Sequence, residues 1–428
     1  RRRGRGLARQ LGGYAAAHHR ASIKLEACGL ARLVATCDPH PSLFEEARRE
    51  WRFAERGVLV FDDYVAMLDA TQGNVDMVVI PTPIFLHAEM HAACVARGLA
   101  IYLEKPPTLD PDELDTVIKD SARARHQTQV GFNFIVQPHR QKLKERLVAG
   151  EFGRVLAVTV LGQWPRPEAY FRRNGWAGKL VMPDGRLVMD SCFGNAMSHF
   201  IHNALFWAGT DDVFCWGRAA SVSAALFRAH SIQSPDTFFV ETATREGVTL
   251  RIGLTHACFR EKENRETIYC EKARLVVDPD VGEQVIWRDG RHEARPALEF
   301  DAVTENLAAY MRYLLGEIGR PATLLTDALP FVELHALAYL AAERVVDFSA
   351  CGYEVQRHSE GGTSFRSVEG LPGMLNSFVE TGAWPTKPVM DRKKATAGPP
   401  VDLAGLQAVI RRMASDSLNA NPDHLLSQ

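Results

Sequence analysis

The chain has 428 residues, 46% hydrophobic and 24% charged, ordinary proportions for a globular protein and too much chain for one core, so two domains with an appended tail are expected. Fifty Lys and Arg against 52 Asp and Glu leave a net charge of −2, which excludes a general field for nucleic acid or anionic lipid. No apolar run reaches the roughly 18 residues of a membrane span and no signal-peptide core is present, so a cytoplasmic protein without membrane or nucleic-acid partners is expected.

The only basic cluster is the opening Arg1-Arg2-Arg3-Gly4-Arg5-Gly6. Gly4 and Gly6 precede a helical stretch over 9–17, and a Gly-rich turn at a helix N-terminus offers amide N–H groups to a pyrophosphate. Alone, the same residues read as a frayed basic terminus. No strand precedes them, so the first strand of a dinucleotide fold is expected upstream of Arg1. Strand, turn and helix follow at 31–37 and 42–53, a second apolar run at 58–61 leads to a helix over 64–70, and β-branched 75–80 is a third strand. A helix over 86–97 passes through Gly98 into a strand over 100–103. Strands alternating with helices predict a parallel, doubly wound sheet, and continuously apolar Met77-Val78-Val79-Ile80 suits a strand buried on both faces.

Ligands of such sheets sit beyond the carboxyl ends of the strands. Asp38 ends one of them. It can accept the ribose hydroxyls of NAD and repel a 2′-phosphate, or cap the next helix; its position after the strand favours the cofactor role and NAD over NADP. Lys105 leaves the 100–103 strand, where an ammonium can stabilise developing negative charge, although a solvated loop lysine reads the same way.

After a strand over 129–134 and a helix over 137–149, strands at 155–163, 237–244, 248–255, 266–270 and 273–277 mostly alternate apolar and polar residues, which predicts an antiparallel sheet covered on one face. Helices over 195–207 and 303–315 can supply that cover, and a helix over 327–347 closes the domain. On the first of these, Asn195, His199 and His202 fall four and three residues apart and share a face. His199 is the candidate general base or acid, since imidazole titrates near working pH; a buried core histidine is the alternative. The loop around Arg172, Trp176 and Lys179, together with Asp190, offers cations and an aromatic face to a sugar, or is a surface loop with a core Trp. The eight cysteines lie apart with no CxxC pair and no histidine at metal spacing, so no metal is expected. Beyond residue 350 the composition turns to Gly, Ser, Pro and charge, with a helical pattern over 403–414 able to fold back on the body or on a neighbouring subunit.

The run Val78-Val79-Ile80-Pro81-Thr82-Pro83 with His87, then Tyr102-Leu103-Glu104-Lys105-Pro106, resembles the glucose–fructose oxidoreductase, inositol dehydrogenase and rhizopine catabolism (Gfo/Idh/MocA) family. With Asp38 upstream and the 189–203 segment downstream, the likeness covers most of residues 1–350. It implies an α/β Rossmann domain over 1–128, an α+β domain over 129–350 with a mostly antiparallel open sheet that serves as a homo-oligomer interface, and an extension over 351–428. It also implies cofactor contacts from Thr82, Pro83, His87, Glu104 and Lys105, a cis bond before Pro106, and catalysis by Lys105 and His199. The family's helix reads D-x-G-x-H-x-x-D; here Asn195, Met197 and His202 replace its Asp, Gly and second Asp. Asn195 can therefore hold a substrate hydroxyl but carry no proton. The expected activity is NAD-dependent hydride transfer with a sugar, polyol or inositol-like alcohol. Two alternatives stand beside it: an NAD-dependent glycoside hydrolase or epimerase with a transient redox step, and a non-catalytic dinucleotide-binding protein.

Overall fold

The computed structural model describes residues 14–387, 395–396 and 403–420. In chain order the elements are α1 (Ala15–Ala27), β1 (Ala35–Cys37), α2 (Glu45–Glu50), α3 (Phe53–Arg56), β2 (Leu59–Phe61), α4 (Tyr64–Ala70), β3 (Met77–Ile80), α5 (His87–Val95), β4 (Ala100–Leu103), α6 (Pro111–Ser121), β5 (Gln129–Val130) and α7 (Pro138–Val148). Then come β6 (Val155–Gln163), α8 (Ser198–Ala208), β7 (Ala219–Arg228), β8 (Thr237–Thr244), β9 (Thr249–Thr255), β10 (Glu263–Cys270), β11 (Ala273–Asp278), β12 (Gly282–Trp287) and β13 (His292–Pro296). The chain continues through α9 (Ala302–Leu314), α10 (Leu325–Ala342), β14 (Val345–Asp347), β15 (Val355–Glu360), β16 (Thr363–Val368), α11 (Leu371–Thr381), β17 (Ala395–Thr396) and α12 (Leu403–Ala420). Two units result. The first runs to Thr108 and takes in Asp112–Gln141 and Glu299–Leu329; the second takes in Leu109–Pro111, Lys142–Leu298 and the described residues from Pro330 on.

In the first unit β1 pairs in parallel with β2, and β3, β4 and β5 form a second parallel ladder. All four residues of β3 and of β4 are buried, as strands covered on both faces must be. The late helix α9 completes this unit: Leu307, Tyr310 and Met311 join Met77, Val79 and Tyr102 in its core. A polar network fixes α9 there. Asn306 Nδ2 donates to Asn133 Oδ1 at 2.8 Å and to the Tyr102 hydroxyl at 3.0 Å, and Gln129 Nε2 donates to Asn306 O at 2.7 Å.

The second unit holds a ten-stranded sheet, ordered β13-β12-β11-β10-β6-β9-β8-β7-β14 with β17 beside β7. Only the β6–β9 and β7–β14 pairs are parallel. Adjacent residues of β10 point to opposite faces. Glu266 accepts bonds from Asn203 and Trp207 of α8, whereas Arg265 pairs with Glu380 of α11. Both faces of the middle strands therefore carry a helix.

Several local expectations are corrected. The helix expected over 9–17 is described at Ala15–Ala27, and Gly4 and Gly6 lie outside the described residues. The 42–53 helix is broken by Arg52 at φ 54°, which lets Trp51 and Phe53 both reach the core. The strand expected over 129–134 stops at Val130 and gives way to a 3-10 turn, Asn133–Val136. The helix expected to run to 347 ends at Ala342, and β-branched Val345 and Val346 pair with β7 instead. The extension is no loose tail: Leu371, Leu375, Phe378 and Val379 of α11 are buried with Leu161, Phe227 and Phe239 of the sheet. Gly253 leaves the room, since a Cβ there would meet Val379 at 3.0 Å. Leu406, Ile410 and Met413 of α12 are buried as well.

Candidate functional site

In the first unit the sequence-predicted cofactor residues stand at strand ends. Asp38 follows β1, is 4% exposed, and its Oδ1 accepts a bond from His40 N at 2.9 Å, an Asx turn that redirects the chain. The cap position of the following 3-10 turn is taken by His40, not Asp38. After β3, Thr82 Oγ1 is buried with no partner among the described residues, an orphaned hydroxyl of the kind a ligand satisfies. His87, the next expected cofactor residue, is buried against backbone. Its Nδ1 lies 3.0 Å from Pro106 O and its Nε2 3.0 Å from Thr82 O, so both nitrogens face backbone and the ring ties the exits of β3 and β4 together. Burial lowers its pKa despite these carbonyls, and a neutral ring donates to one side only.

Glu104 and Lys105 leave β4. Glu104 is 4% exposed; its Oε1 lies 2.7 Å from His18 Nε2, and its Oε2 accepts the Lys105 amide at 3.1 Å. Gly131, at the exit of β5, is required by this carboxylate, because a Cβ there would stand 2.9 Å from Glu104 Oε1. With Glu104 held on both oxygens, the backbone that carries half-buried Lys105 is fixed, and the Lys105–Pro106 bond is cis. A carboxylate at the end of β1 and a partnerless hydroxyl after β3 fit a dinucleotide.

In the second unit the helix expected over 195–207 is interrupted. Cys192–Ala196 forms a π turn capped by Ser191, whose hydroxyl accepts from Gly194 N at 2.9 Å, and Met197 at φ −110° separates it from α8. Asn195 is thus not on the same helix as the two histidines, and its amide donates to Asp190 Oδ1 at 2.8 Å. His199 is half-buried in the first turn of α8. His202 is fully buried against Trp216, ring centroids 5.2 Å apart. Asp190 gathers the loop: besides Asn195 it accepts Gly178 N at 2.8 Å, and Arg173 stands 3.8 Å away. Met189, just before it, sits at φ 49°, a strained position for a non-glycine residue. Arg172 is exposed, Trp176 half-buried, and Lys179 is anchored through its backbone, accepting from Asp190 N at 2.9 Å.

Sequence reasoning missed several residues around these. Arg173 stacks on Tyr170 at 3.7 Å and Arg166 on the same ring at 4.5 Å, so Tyr170 is clasped between two cations. Trp164 meets Phe200 of α8 edge-on at 5.7 Å. The alternation Trp164-Pro165-Arg166-Pro167, directly after β6, was the available signal. His230 Nδ1 lies 2.7 Å from Asp236 Oδ2 in full burial. Burial would raise the Asp236 carboxyl, but His230 and the amides of His230 and Ala229 outweigh it and hold its pKa low. Lys144 had no signal: buried in α7, it donates to the carbonyls of Phe206, Gly209 and Cys215, closing the C-terminus of α8.

Residues 11–132 match the Gfo/Idh/MocA oxidoreductase family with NAD-binding Rossmann fold, and residues 140–276 match that family's C-terminal domain. The inositol 2-dehydrogenase of Rhizobium meliloti is 30% identical over 149 residues, 34% of this chain and 42% of that protein. A D-xylose 1-dehydrogenase (NADP(+)) of Haloferax volcanii is 34% identical over 264 residues, 60% of this chain and 67% of that protein. Matches to three inositol dehydrogenases span only 31–42% of those proteins' lengths. Among solved structures, the WlbA dehydrogenase of Bordetella pertussis with NADH and UDP-GlcNAcA superposes at a TM-score of 0.64 with 23% identity, covering 80% of this chain and 97% of that one. Levoglucosan dehydrogenase with NADH does so at 0.66 with 17% identity, covering 79% and 97%. Both share its fold. The chain belongs to the Gfo/Idh/MocA oxidoreductase family.

Proposed function

We propose that this chain is an NAD-dependent oxidoreductase that moves a hydride between the nicotinamide and a sugar, polyol or inositol-like alcohol. The observation that carries the reading is the setting of Lys105. A lysine leaves a parallel strand on a backbone locked by a doubly held glutamate, inside a domain that matches NAD-binding relatives. Its ammonium donates to the reacting oxygen and stabilises the charge that builds there. His199 takes the hydroxyl proton, and Asp190 with Asn195 holds neighbouring hydroxyls. Asp38 and Thr82 hold the dinucleotide, which supplies the hydride acceptor. The Asp38 carboxylate disfavours a 2′-phosphate, which supports NAD over NADP.

The test is turnover of Lys105→Ala and His199→Ala against a panel of sugars and inositols with NAD and NADP. Each variant is expected to lose roughly 10²-fold or more in kcat while still binding cofactor by calorimetry. Full activity in both overturns the assignment. Accumulation of free NADH with product separates it from a transient-redox hydrolase or epimerase.

A further inference from the structure

The β15–β16 hairpin lies beyond the last residue matched by the family's C-terminal domain, 276, yet it docks on the loop that carries the candidate substrate contacts. Its turn, Gly361-Gly362, has φ of 57° and 76°, the left-handed conformation that a tight hairpin turn demands. Three contacts seat it. Phe365 of β16 forms an isolated antiparallel bridge with Pro167 of the loop. His358 stacks on Phe259 with centroids 4.3 Å apart and planes 4° from parallel. Glu168, which opens the 3-10 turn Glu168–Arg172, receives Arg366 on Oε1 and Arg357 on Oε2, each at 2.9 Å.

Arg366 does more than pair. Its second arm donates to Ala229 O at 3.0 Å, so one guanidinium joins the loop to the residue before His230. Glu168 keeps 12% of its side-chain exposure and Arg366 31%, against 65% for Arg357, so the Arg366 contact is the better shielded of the two. Immediately after the clamp come Tyr170, clasped by Arg166 and Arg173, and Phe171, 4.7 Å from His230. At its far end the loop is held by Asn174, which accepts from Trp176 N and Ala177 N, by Asp190 on Gly178, and by backbone bonds of Gly178, Lys179 and Leu180 with Gln233, Asp190 and Val188.

We propose that the β15–β16 hairpin, through Arg366 and secondarily Arg357 on Glu168, holds the 164–181 loop in its substrate-receiving conformation, which makes Arg366 a positioning residue for alcohol binding. The inference rests on the oxidoreductase reading above. A loop that is ordered only part of the time lowers apparent affinity in proportion to its competent fraction, leaving the chemical step unchanged once substrate is bound. A residue that merely holds the fold would lower active protein and melting temperature instead.

The experiment uses the full chain. Arg366→Ala is expected to raise KM for the alcohol about tenfold with kcat within about twofold, melting temperature unchanged and cofactor KM unchanged. Arg366→Lys, which keeps charge but not the fork, falls between, and Arg260→Ala, at an exposed contact of the hairpin with Glu360, matches the wild type. Without any ligand, trypsin is expected to nick Arg366→Ala after exposed Arg172 or Arg173 several-fold faster than the wild type. Wild-type KM in Arg366→Ala, or a loss of kcat and melting temperature without a KM change, overturns the proposal. If Arg366→Ala does not fold, Arg366→Lys and Glu168→Gln carry the same measurements. If the wild type turns over no alcohol with either cofactor, the oxidoreductase reading fails, and the nicking rates alone then decide whether the hairpin holds the loop: equal rates overturn it.

Discussion

The two units hold their candidate chemistry by different means. In the first, groups at strand ends are fixed by partners close in sequence: Asp38 by His40, Glu104 by the next amide, Thr82 by His87 five residues on, and His87 by Pro106 nineteen on. His18 holds Glu104 from 86 residues away. In the second unit Asp190 is held by Asn195 and Gly178, five and twelve residues away, but the helix that carries His199 and the 164–181 loop depend on residues 59 to 198 positions away: Glu266 on Asn203 and Trp207, Lys144 on three carbonyls, Arg366 and Arg357 on Glu168. A parallel sheet delivers its strand ends together through topology alone, whereas a loop over an antiparallel sheet needs distant side chains to hold one conformation.

Substitutions can break or sharpen that contrast. The largest effect is expected from Lys144→Met, which keeps the volume but strands the carbonyls of Phe206, Gly209 and Cys215 at and beyond the end of α8 and should cost about 3 kcal/mol in denaturant unfolding. No loss would show that α8 is self-sufficient and the contrast false. Next is an acid effect in the second unit. Burial pushes His335 down to about 3, and neither of its ring nitrogens has a hydrogen-bond partner among the described residues. Between that value and an unfolded value near 6.5 the unfolded chain binds a proton that the folded chain refuses. Stability should therefore fall as pH drops below about 6.5, by about 1.4 kcal/mol per unit for this residue, and His335→Phe should flatten the fall seen in unfolding titrations from pH 7 to 5. An unchanged slope would mean that His335 is protonated in the fold. The smallest effect belongs to the first unit. Asp38→Ser keeps a side-chain oxygen for the turn at His40, so melting temperature should hold, while the kcat/KM preference for NAD over NADP drops about tenfold. A drop in stability larger than the drop in preference would make Asp38 structural.

Legibility followed the same division. The buried strands Met77–Ile80 and Ala100–Leu103, and the residues that leave them, were readable because continuous apolar runs and short motifs are local signals. The pairing of His18 with Glu104 was not, since nothing in an alanine-rich helix announces a partner 86 residues on. In the second unit the helical spacing that joined Asn195 to His199 ignored Ser191, whose cap on Gly194 tightens the chain into a π turn. Its Ser-x-x-Gly pattern, Ser191 to Gly194, lacks the Glu or Gln that completes the usual helix-start signature, so periodicity prevailed. Lys144 was invisible for a physical reason: a lysine within a strongly polar helical stretch reads as solvated, and only the approach of α8 turns it inward.

Helix α11 changes what the end of this chain means. Phe378 is fully buried and Val379 nearly so, and both lie among residues of the central strands. A chain stopped near residue 350 would uncover Leu161, Ala225, Phe227 and Phe239 together, a wet apolar stripe on strands rich in β-formers. Stopping the chain there would thus trade a covered surface for an aggregation-prone one.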